Sequence, residues 1–173
     1  MVRGSPNPRY FGLPERLKKA RKHARVSRTA LAERVGGDQT TALDIETGGR
    51  LPTVGTVARL ANGLGVSAGW LAFALGEMGN SAQQAACDGM GARLQAVRIA
   101  HGLSKAALAR RAGLSPTALA NIERGAQSGI EVIAALAKAL SISPAWLAFN
   151  EGPQLLPASR RGRPPAQSPA DPR

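Results

Sequence analysis

The tetrapeptide Trp-Leu-Ala-Phe occurs twice in this chain, at positions 70–73 and 146–149. Residues around the two copies also match, at an offset of 77 positions up to Gly48 and of 76 positions from Leu60 onward. Chance does not place such a tetrapeptide twice in one register, so the chain contains two homologous domains, which we place at 13–77 and 90–152. Other matching residues include Leu17, Arg21, Ser27, Ala30, Leu31, Ala32, Arg34, Gly36, Thr40, Ile45, Glu46, Gly48, Leu60, Ala61, Leu64 and Ser67, each identical to its counterpart in the second copy.

The segments outside the two repeats differ from them in composition. Residues 78–89 contain the small and polar run GNSAQQAACDG, which is typical of a linker. Residues 1–12 hold two prolines and two glycines, and residues 153–173 are proline-rich, basic and nearly free of large apolar side chains. We therefore expect both terminal segments to be disordered.

The chain is strongly basic, with 23 Lys and Arg against 11 Asp and Glu and a net charge of +12. This excess favours a polyanionic partner, nucleic acid first and an anionic membrane surface second. Aromatic residues are only 3% of the chain, which argues against a large β-sandwich and against an aromatic RNA-stacking surface. Cys87 is the single cysteine, and no secretory or membrane-spanning run is present. We expect a cytoplasmic, nucleoid-associated protein.

Capping residues and glycines divide each repeat into short helices. Gly102 suits a left-handed helix end, and Ser104 is placed to cap the helix that follows. Ser115 followed by Pro116 is a helix start signal. The corresponding caps elsewhere are Ser27, Asp38, Ser67 and Ser143. No segment shows a strand pattern, so we expect an all-α chain of two tandem five-helix domains.

The connection between the second and third helices of each repeat has an informative spacing. In the first repeat, the small Ala32 allows the two helices to approach, and Gly36 supplies a turn conformation that a β-carbon would penalise. Ala109 and Gly113 repeat the pattern. A helix–turn–helix of this kind presents the N-terminal half of its second helix outward, and such a helix fits the DNA major groove.

The segments LAERVGGDQTTALDIETG and LARRAGLSPTALANIERG both resemble the helix–turn–helix of the phage repressor and Cro-like (XRE) family. The later segments GVSAGWLAFALG and SISPAWLAFNEG are similar to the closing helix of that family. The resemblance covers about 130 of the 173 residues. It implies five-helix, lambda-repressor-like domains that bind operator DNA, usually as a dimer, and regulate transcription. Two copies in one chain depart from the commonest arrangement.

The family resemblance also implies which residues contact DNA. Residues on the third helix of each repeat would contact bases, where Gln can pair with adenine, Thr can donate a hydroxyl or meet a thymine methyl, and Asp can accept from cytosine. Cations at helix ends would contact phosphates. The expected base contacts are Gln39, Thr40, Thr41, Asp44, Thr117 and Asn121, and the expected phosphate contacts are Arg28, Arg50, Lys105 and Arg124. Solvated polar side chains at helix ends are the alternative.

Two departures from the family pattern fall in the first repeat. Gly37 replaces the usual apolar residue after the turn glycine, and Asp44 adds a negative charge that costs affinity unless a cytosine donates to it. The second repeat has a small, apolar recognition surface, so it could instead serve packing or dimerisation. Arg21 with Glu46, and Arg98 with Glu123, match an ion pair that the family buries, and this implies a structural role. Trp70 and Trp146 are interpreted as core residues.

The C-terminal tail carries a further candidate. Its run Arg161-Gly162-Arg163-Pro164 is similar to the core of the AT-hook, which lies in the narrow minor groove of A·T-rich DNA. A solvated basic tail is the alternative. The motif is short enough that both interpretations stay open.

The function that these patterns indicate is sequence-specific binding of double-stranded DNA by a transcriptional regulator, in particular a repressor. A low-specificity architectural protein and an antitoxin-like protein-interaction module are the alternatives. No catalytic constellation, metal site or cofactor motif is readable, so we expect no enzymatic activity. The chain would act as a homodimer or as a single-chain pseudo-dimer. The linker reaches at most about 40 Å when extended, enough for half-sites about 34 Å apart.

Overall fold

The computed structural model describes residues 12–79, 85 and 87–155, except for the side chain of Gln39. The proposed tail motif at 161–163, and most of the segments 1–12 and 153–173 that we expect to be disordered, lie outside the described residues. The described part contains ten helices and, apart from one isolated bridge between two residues, no β-structure. The expected all-α fold is confirmed.

The helices fall into two sets of five. The first set is α1 (Leu13–His23), α2 (Arg28–Val35), α3 (Gln39–Glu46), α4 (Val54–Leu64) and α5 (Ala68–Phe73). The second set is α6 (Met90–Ala100), α7 (Lys105–Ala112), α8 (Pro116–Glu123), α9 (Ile130–Ala139) and α10 (Pro144–Phe149). We call residues 13–77 repeat 1 and residues 90–152 repeat 2.

The helix starts are capped as the sequence predicts. The Ser27 hydroxyl accepts from the Ala30 amide and the Asp38 carboxylate accepts from the Thr40 amide, each at 3.0 Å. The other predicted caps, Ser67, Ser104, Ser115 and Ser143, each accept from the third residue of their helix. Each such cap stabilises its helix by about 1 kcal/mol, because it satisfies an amide that has no partner within the helix. Thr53, which the sequence did not single out, caps α4 in the same way.

The two repeats contribute small aliphatic side chains to one buried core. The side chains that are fully buried include Leu17, Leu31, Ile45 and Leu71 in repeat 1, and Leu94, Leu108, Leu119 and Leu147 in repeat 2. Burying a leucine contributes about 1.5–3 kcal/mol, so these contacts hold the short helices together. Trp70 and Trp146 pack half-buried against the core, as their helical spacing predicts.

The two repeats pack against each other through equivalent positions. Thr53 and Gly129, which are 76 residues apart, form an antiparallel bridge. On either side of it, the Val54 amide donates to the Ser128 carbonyl at 2.9 Å and the Ile130 amide donates to the Pro52 carbonyl at 3.3 Å. Val54 and Pro52 of repeat 1 are equivalent to Ile130 and Ser128 of repeat 2, 76 positions later. Each of the two hydrogen bonds is therefore the other one with the two repeats exchanged. The repeats are therefore related by a pseudo-two-fold axis through this bridge.

Helices α5 and α10 pack along the same axis. The rings of Phe73 and Phe149, again equivalent residues, have centroids 6.2 Å apart and are tilted by 39°. Such a separation is favourable for two aromatic rings. The interface therefore has the self-paired character of a two-fold dimer, although both halves belong to one chain.

Within the described residues, the segment between the repeats contacts repeat 1 through Ala85. The Asn62 side chain on α4 donates to the Ala85 carbonyl at 2.9 Å and accepts from the Ala85 amide at 2.8 Å. Ala85 itself is buried. The chain therefore leaves this contact only five residues before α6 begins at Met90, and repeat 2 starts close to the surface of repeat 1.

Candidate nucleic-acid interface

In each repeat, a tight turn joins the second and third helices. Gly36 has φ +60° and Gly113 has φ +71°, the left-handed conformation that the sequence predicts at both positions. After Gly36, the Gly37 amide donates to the Ala32 carbonyl at 2.9 Å, and this hydrogen bond closes the end of α2. Two short helices joined by such a turn form the helix–turn–helix, with α3 and α8 as its second helices.

The start of α3 carries a fixed negative charge. Asp38 accepts from the Thr40 amide, and this backbone hydrogen bond lowers the pKa of its carboxyl group. The carboxylate therefore stays ionised across the neutral range and holds the first turn of α3 in place.

The structure exposes only part of the predicted base-contact set on α3. Thr40 and Asp44 are exposed, whereas Thr41 is half-buried beside Val35 in a cleft of about 40 Å³. The side chain of Gln39 lies outside the described residues. Leu43 was not predicted to be part of this surface, yet 42% of it is exposed beside Asp44. The spacing of apolar residues along α3 does not indicate that this leucine faces solvent.

The equivalent surface on α8 has a different chemistry. Thr117 and Asn121 are both exposed. The Arg124 guanidinium donates through Nη2 to Asn121 Oδ1 at 2.5 Å and through Nε to the Ala120 carbonyl at 3.3 Å. The side-chain oxygen of Asn121 is thus engaged by a cation, so the exposed end of α8 presents mainly hydrogen-bond donors.

The cations predicted to contact phosphate at the start of α2 and α7 are held by buried carboxylates. Arg28 donates through Nε to Glu46 Oε2 at 2.8 Å, and Lys105 Nζ lies 3.7 Å from Glu123 Oε2. Both cations remain about half exposed, with side-chain exposures of 43% and 49%. Arg50 is exposed in the loop after α3. The two half-exposed cations are therefore oriented toward solvent by partners beneath them.

The same two carboxylates hold the arginines of the first helices. Arg21 Nε donates to Glu46 Oε1 at 2.7 Å and Arg98 Nε donates to Glu123 Oε1 at 2.6 Å. Burial alone would raise the pKa of Glu46, but the hydrogen bonds and charges of Arg21 and Arg28 outweigh it and lower that pKa. The hydrogen bond to Glu46 raises the pKa of Arg21 in turn. The end of each recognition helix is thereby fixed to the first helix of its repeat.

A second pair of equivalent arginines was missed in the sequence. Arg16 donates through Nε to the Leu71 carbonyl at 2.9 Å, and Arg93 donates in the same way to the Leu147 carbonyl at 3.1 Å. Burial lowers the pKa of both guanidinium groups. The two arginines match at offset 77, so the self-comparison contained the signal. They tie the first helix of each repeat to α5 and α10, the helices that form the inter-repeat interface.

Two properties of the described residues bear on the kind of site. No three His, Cys, Asp or Glu side chains in this part of the chain lie where they could hold a metal ion together. Among the helices of this part of the chain, none combines the length and the apolar character that crossing a membrane requires.

Family comparisons agree with this geometry. Residues 13–71 match a model described as a helix-turn-helix domain, and residues 94–147 match a second model described as helix-turn-helix, which is the XRE-type family. A comparison with solved structures found no match. The chain thus carries two tandem helix–turn–helix domains, and the second of them matches the XRE-type family that the sequence resemblance indicates. Domains of this class indicate DNA binding in transcription regulation and are typically non-enzymatic.

Proposed function

We propose that this chain is a sequence-specific regulator of transcription, acting as a repressor, that binds double-stranded DNA as a single-chain pseudo-dimer. The observation that carries the proposal is the pseudo-two-fold pairing of two helix–turn–helix units through the Thr53–Gly129 bridge and the α5–α10 contact. A two-fold relation between recognition helices is what the two half-sites of an operator require. Here the relation lies within one chain.

The half-sites read by the two repeats differ. On α3, Thr40 and Asp44 offer a hydroxyl and an acceptor, and Leu43 offers an apolar contact for a thymine methyl. On α8, Thr117 and the Asn121–Arg124 pair offer mainly donors. The operator is therefore composed of two unlike half-sites, with centres about 34 Å apart, rather than a palindrome.

Non-specific affinity comes from the cations around these helices. Arg28 and Lys105 occupy equivalent positions at the start of α2 and α7, and their carboxylate partners hold them in place. Each phosphate contact releases counterions, so affinity falls steeply as salt rises. Regions of the chain outside the described residues add further positive charge, including the tail at 161–163, which we propose enters an adjacent minor groove. These charges support the proposal that the protein associates with the nucleoid.

The experiment that tests the proposal is selection of bound sequences from a random double-stranded library with the full chain. We expect enriched sequences with two unlike half-sites, bound about 10³-fold or more above random DNA. Thr40→Ala and Asn121→Ala should each relax preference at one half-site only. Lys138→Ala, which removes an exposed cation from α9, serves as the control and should leave the selected sequence unchanged.

Each of the other functions predicts a different selection result. An architectural protein would enrich no sequence at any salt concentration. A protein-interaction module would bind the whole library weakly. Either result would remove the sequence-specific regulator from consideration.

A further inference from the structure

The interface between the repeats pairs equivalent positions, but the residues at those positions differ in size and charge. Gly69 on α5 faces Ala145 on α10, and Glu151 after α10 corresponds to Leu75 after α5. A two-fold interface between identical domains would place the same residue on both sides. Because of these differences, the contacts across the interface would change if two like repeats paired in place of the two unlike ones.

The first difference is in size. A β-carbon built on Gly69 would lie 2.7 Å from the Ala145 Cβ. Two repeat 2 domains paired in this geometry would bring two alanine methyl groups to that separation, well inside the optimal carbon–carbon distance of about 3.5–4.0 Å. Two repeat 1 domains would place glycine against glycine and lose the methyl contact. The close approach of α5 and α10 therefore suits one glycine and one alanine.

The second difference is a carboxylate that reaches across the interface in one direction. Glu151 of repeat 2 accepts from the Ser67 hydroxyl at 2.6 Å, the Ala68 amide at 3.1 Å and the Gly69 amide at 2.8 Å. It therefore satisfies the amides at the start of α5 that would otherwise lack partners. The position equivalent to Glu151 in repeat 1 is Leu75, which has no acceptor to offer to α10.

The third difference is at the start of α10 itself. The residue equivalent to Ala68 is Pro144, which has no backbone N–H to donate. A Glu151 carboxylate from a second copy of repeat 2 would meet one donor fewer there than it meets on α5. At the other end of the interface, Gln127 of repeat 2 accepts from the Gly55 amide at 3.2 Å, and its counterpart in repeat 1 is the apolar Leu51.

We propose that a set of residues at the interface, which we call the pairing code, makes repeat 1 pair with repeat 2 of the same chain and disfavours pairing between identical repeats of two chains. The pairing code consists of Gly69 and the first amides of α5 on one side, and of Pro144, Ala145 and Glu151 of repeat 2 on the other. The partner of the repeat 1 surface is thus repeat 2 and not a second copy of repeat 1. The short connection from Ala85 to α6 raises the effective concentration of the correct partner. The code concerns pairing alone, so it can be tested without DNA.

The test uses the full chain with spin labels at Lys19 and Ala96, equivalent and exposed positions on α1 and α6, in a Cys87→Ser background. Electron–electron distance measurement should give one narrow distribution for the otherwise unchanged chain. Gly69→Ala, which creates the methyl clash, should broaden it. The double variant Gly69→Ala/Ala145→Gly restores one glycine and one methyl, although the added β-carbon still lies 3.0 Å from the Glu151 carboxylate. It should therefore give a distribution clearly narrower than that of Gly69→Ala. If the single variant loses its fold, recovery by the double variant still supports the code and failure to recover contradicts it.

The carboxylate is tested separately by amide hydrogen exchange. Glu151→Leu, which copies repeat 1, should raise the exchange rates of the Ala68 and Gly69 amides about tenfold, because their acceptor is lost. Glu77→Gln, a change at an exposed carboxylate, is the control and should leave both rates unchanged. Unchanged rates in Glu151→Leu would contradict the role of the carboxylate.

The oligomeric state completes the test. Sedimentation of the unlabelled chain should show a monomer over a wide concentration range. The triple variant Pro144→Ala/Ala145→Gly/Glu151→Leu, which gives repeat 2 the residues of repeat 1 at all three positions, should self-associate. A wild-type chain that dimerises through like repeats, or a broad distance distribution in the labelled wild type, would overturn the proposal.

Discussion

At the scale of single residues, each repeat depends on one buried carboxylate at the end of its recognition helix. Glu46 and Glu123 each join the first helix to the third, and each also holds the cation at the start of the second. A buried charge that loses its partner is costly, because neither water nor another group replaces the lost interaction. The stability of the domain and the orientation of Arg28 and Lys105 therefore rest on the same groups.

The arginine partners of the two carboxylates should contribute unequally to the stability of their repeats. Among the described residues, Arg98→Ala leaves Glu123 with Lys105 at 3.7 Å, whereas Arg21→Ala leaves Glu46 with the 2.8 Å contact to Arg28. We expect both changes to destabilise their repeat, Arg98→Ala by about 3–5 kcal/mol and Arg21→Ala by less. Denaturant unfolding measures both, with Arg110→Ala, an exposed arginine on α7, as the control. Equal losses, or none, would contradict this ranking.

Acid should weaken repeat 1 through Glu46. Because the folded pKa of Glu46 lies below its ordinary value, its contribution to stability is complete above about pH 4.3 and is lost as the pH falls through the lower folded value. Glu46→Gln should lower Tm at pH 7 and reduce the dependence of Tm on pH below about pH 4.3. Glu33→Gln, an exposed carboxylate on α2, is the matched control. Identical acid profiles for wild type and Glu46→Gln would refute this role.

Base preference in repeat 2 should depend on Arg124. With Arg124 engaging the Asn121 oxygen, the pair presents donors, which match the N7 and O6 acceptors of guanine. Arg124→Ala frees that oxygen to accept from adenine, so preference at this base pair should shift from guanine toward adenine, by about tenfold. Competition binding with operators that differ at this position measures the shift. Arg111→Ala removes the same charge from α7 and should weaken all sequences equally, and an unchanged preference in Arg124→Ala would exclude the paired readout.

At the scale of helices, the features predicted from the sequence are those that local chemistry determines. The serine and aspartate caps, the left-handed glycines at 36 and 113 and the helical cores follow from residues within a few positions of one another. The features that were missed depend on distant contacts. Glu151 lies more than 80 residues from the amides it binds, and the exposure of Leu43 depends on which face of α3 the rest of the repeat covers.

Alanine substitution should have opposite effects on stability at two glycines, one within α6 and one just before α3. Gly91 on α6 has no room for a β-carbon, because the carbonyls of Ile122 and Glu123 at the end of α8 lie against it. Gly91→Ala should therefore cost about 1–3 kcal/mol and weaken DNA binding by displacing α8. Gly37 lies in open surroundings, with its nearest neighbour Val35 3.4 Å from an added β-carbon, so Gly37→Ala should be neutral or stabilising by up to about 1 kcal/mol. Thermal unfolding of both variants checks the contrast, and equal effects would contradict it.

At the scale of the whole molecule, the two repeats form one unit with an internal pseudo-two-fold axis. The repeat was visible in the sequence, and the pseudo-dimer was one of two arrangements that the sequence left open. The sequence could not decide between them, because a linker of this length permits either. The bridge between Thr53 and Gly129, the Phe73–Phe149 contact and the carboxylate of Glu151 supply the observations that favour a single closed chain.

The most direct test of this account is the stoichiometry of the full chain on its selected operator, measured by native mass spectrometry together with a footprint of both strands. A single-chain pseudo-dimer should give one chain per operator and protection of two unlike half-sites about one helical turn apart. Two chains on a palindromic site, or one chain protecting a single half-site, would contradict it.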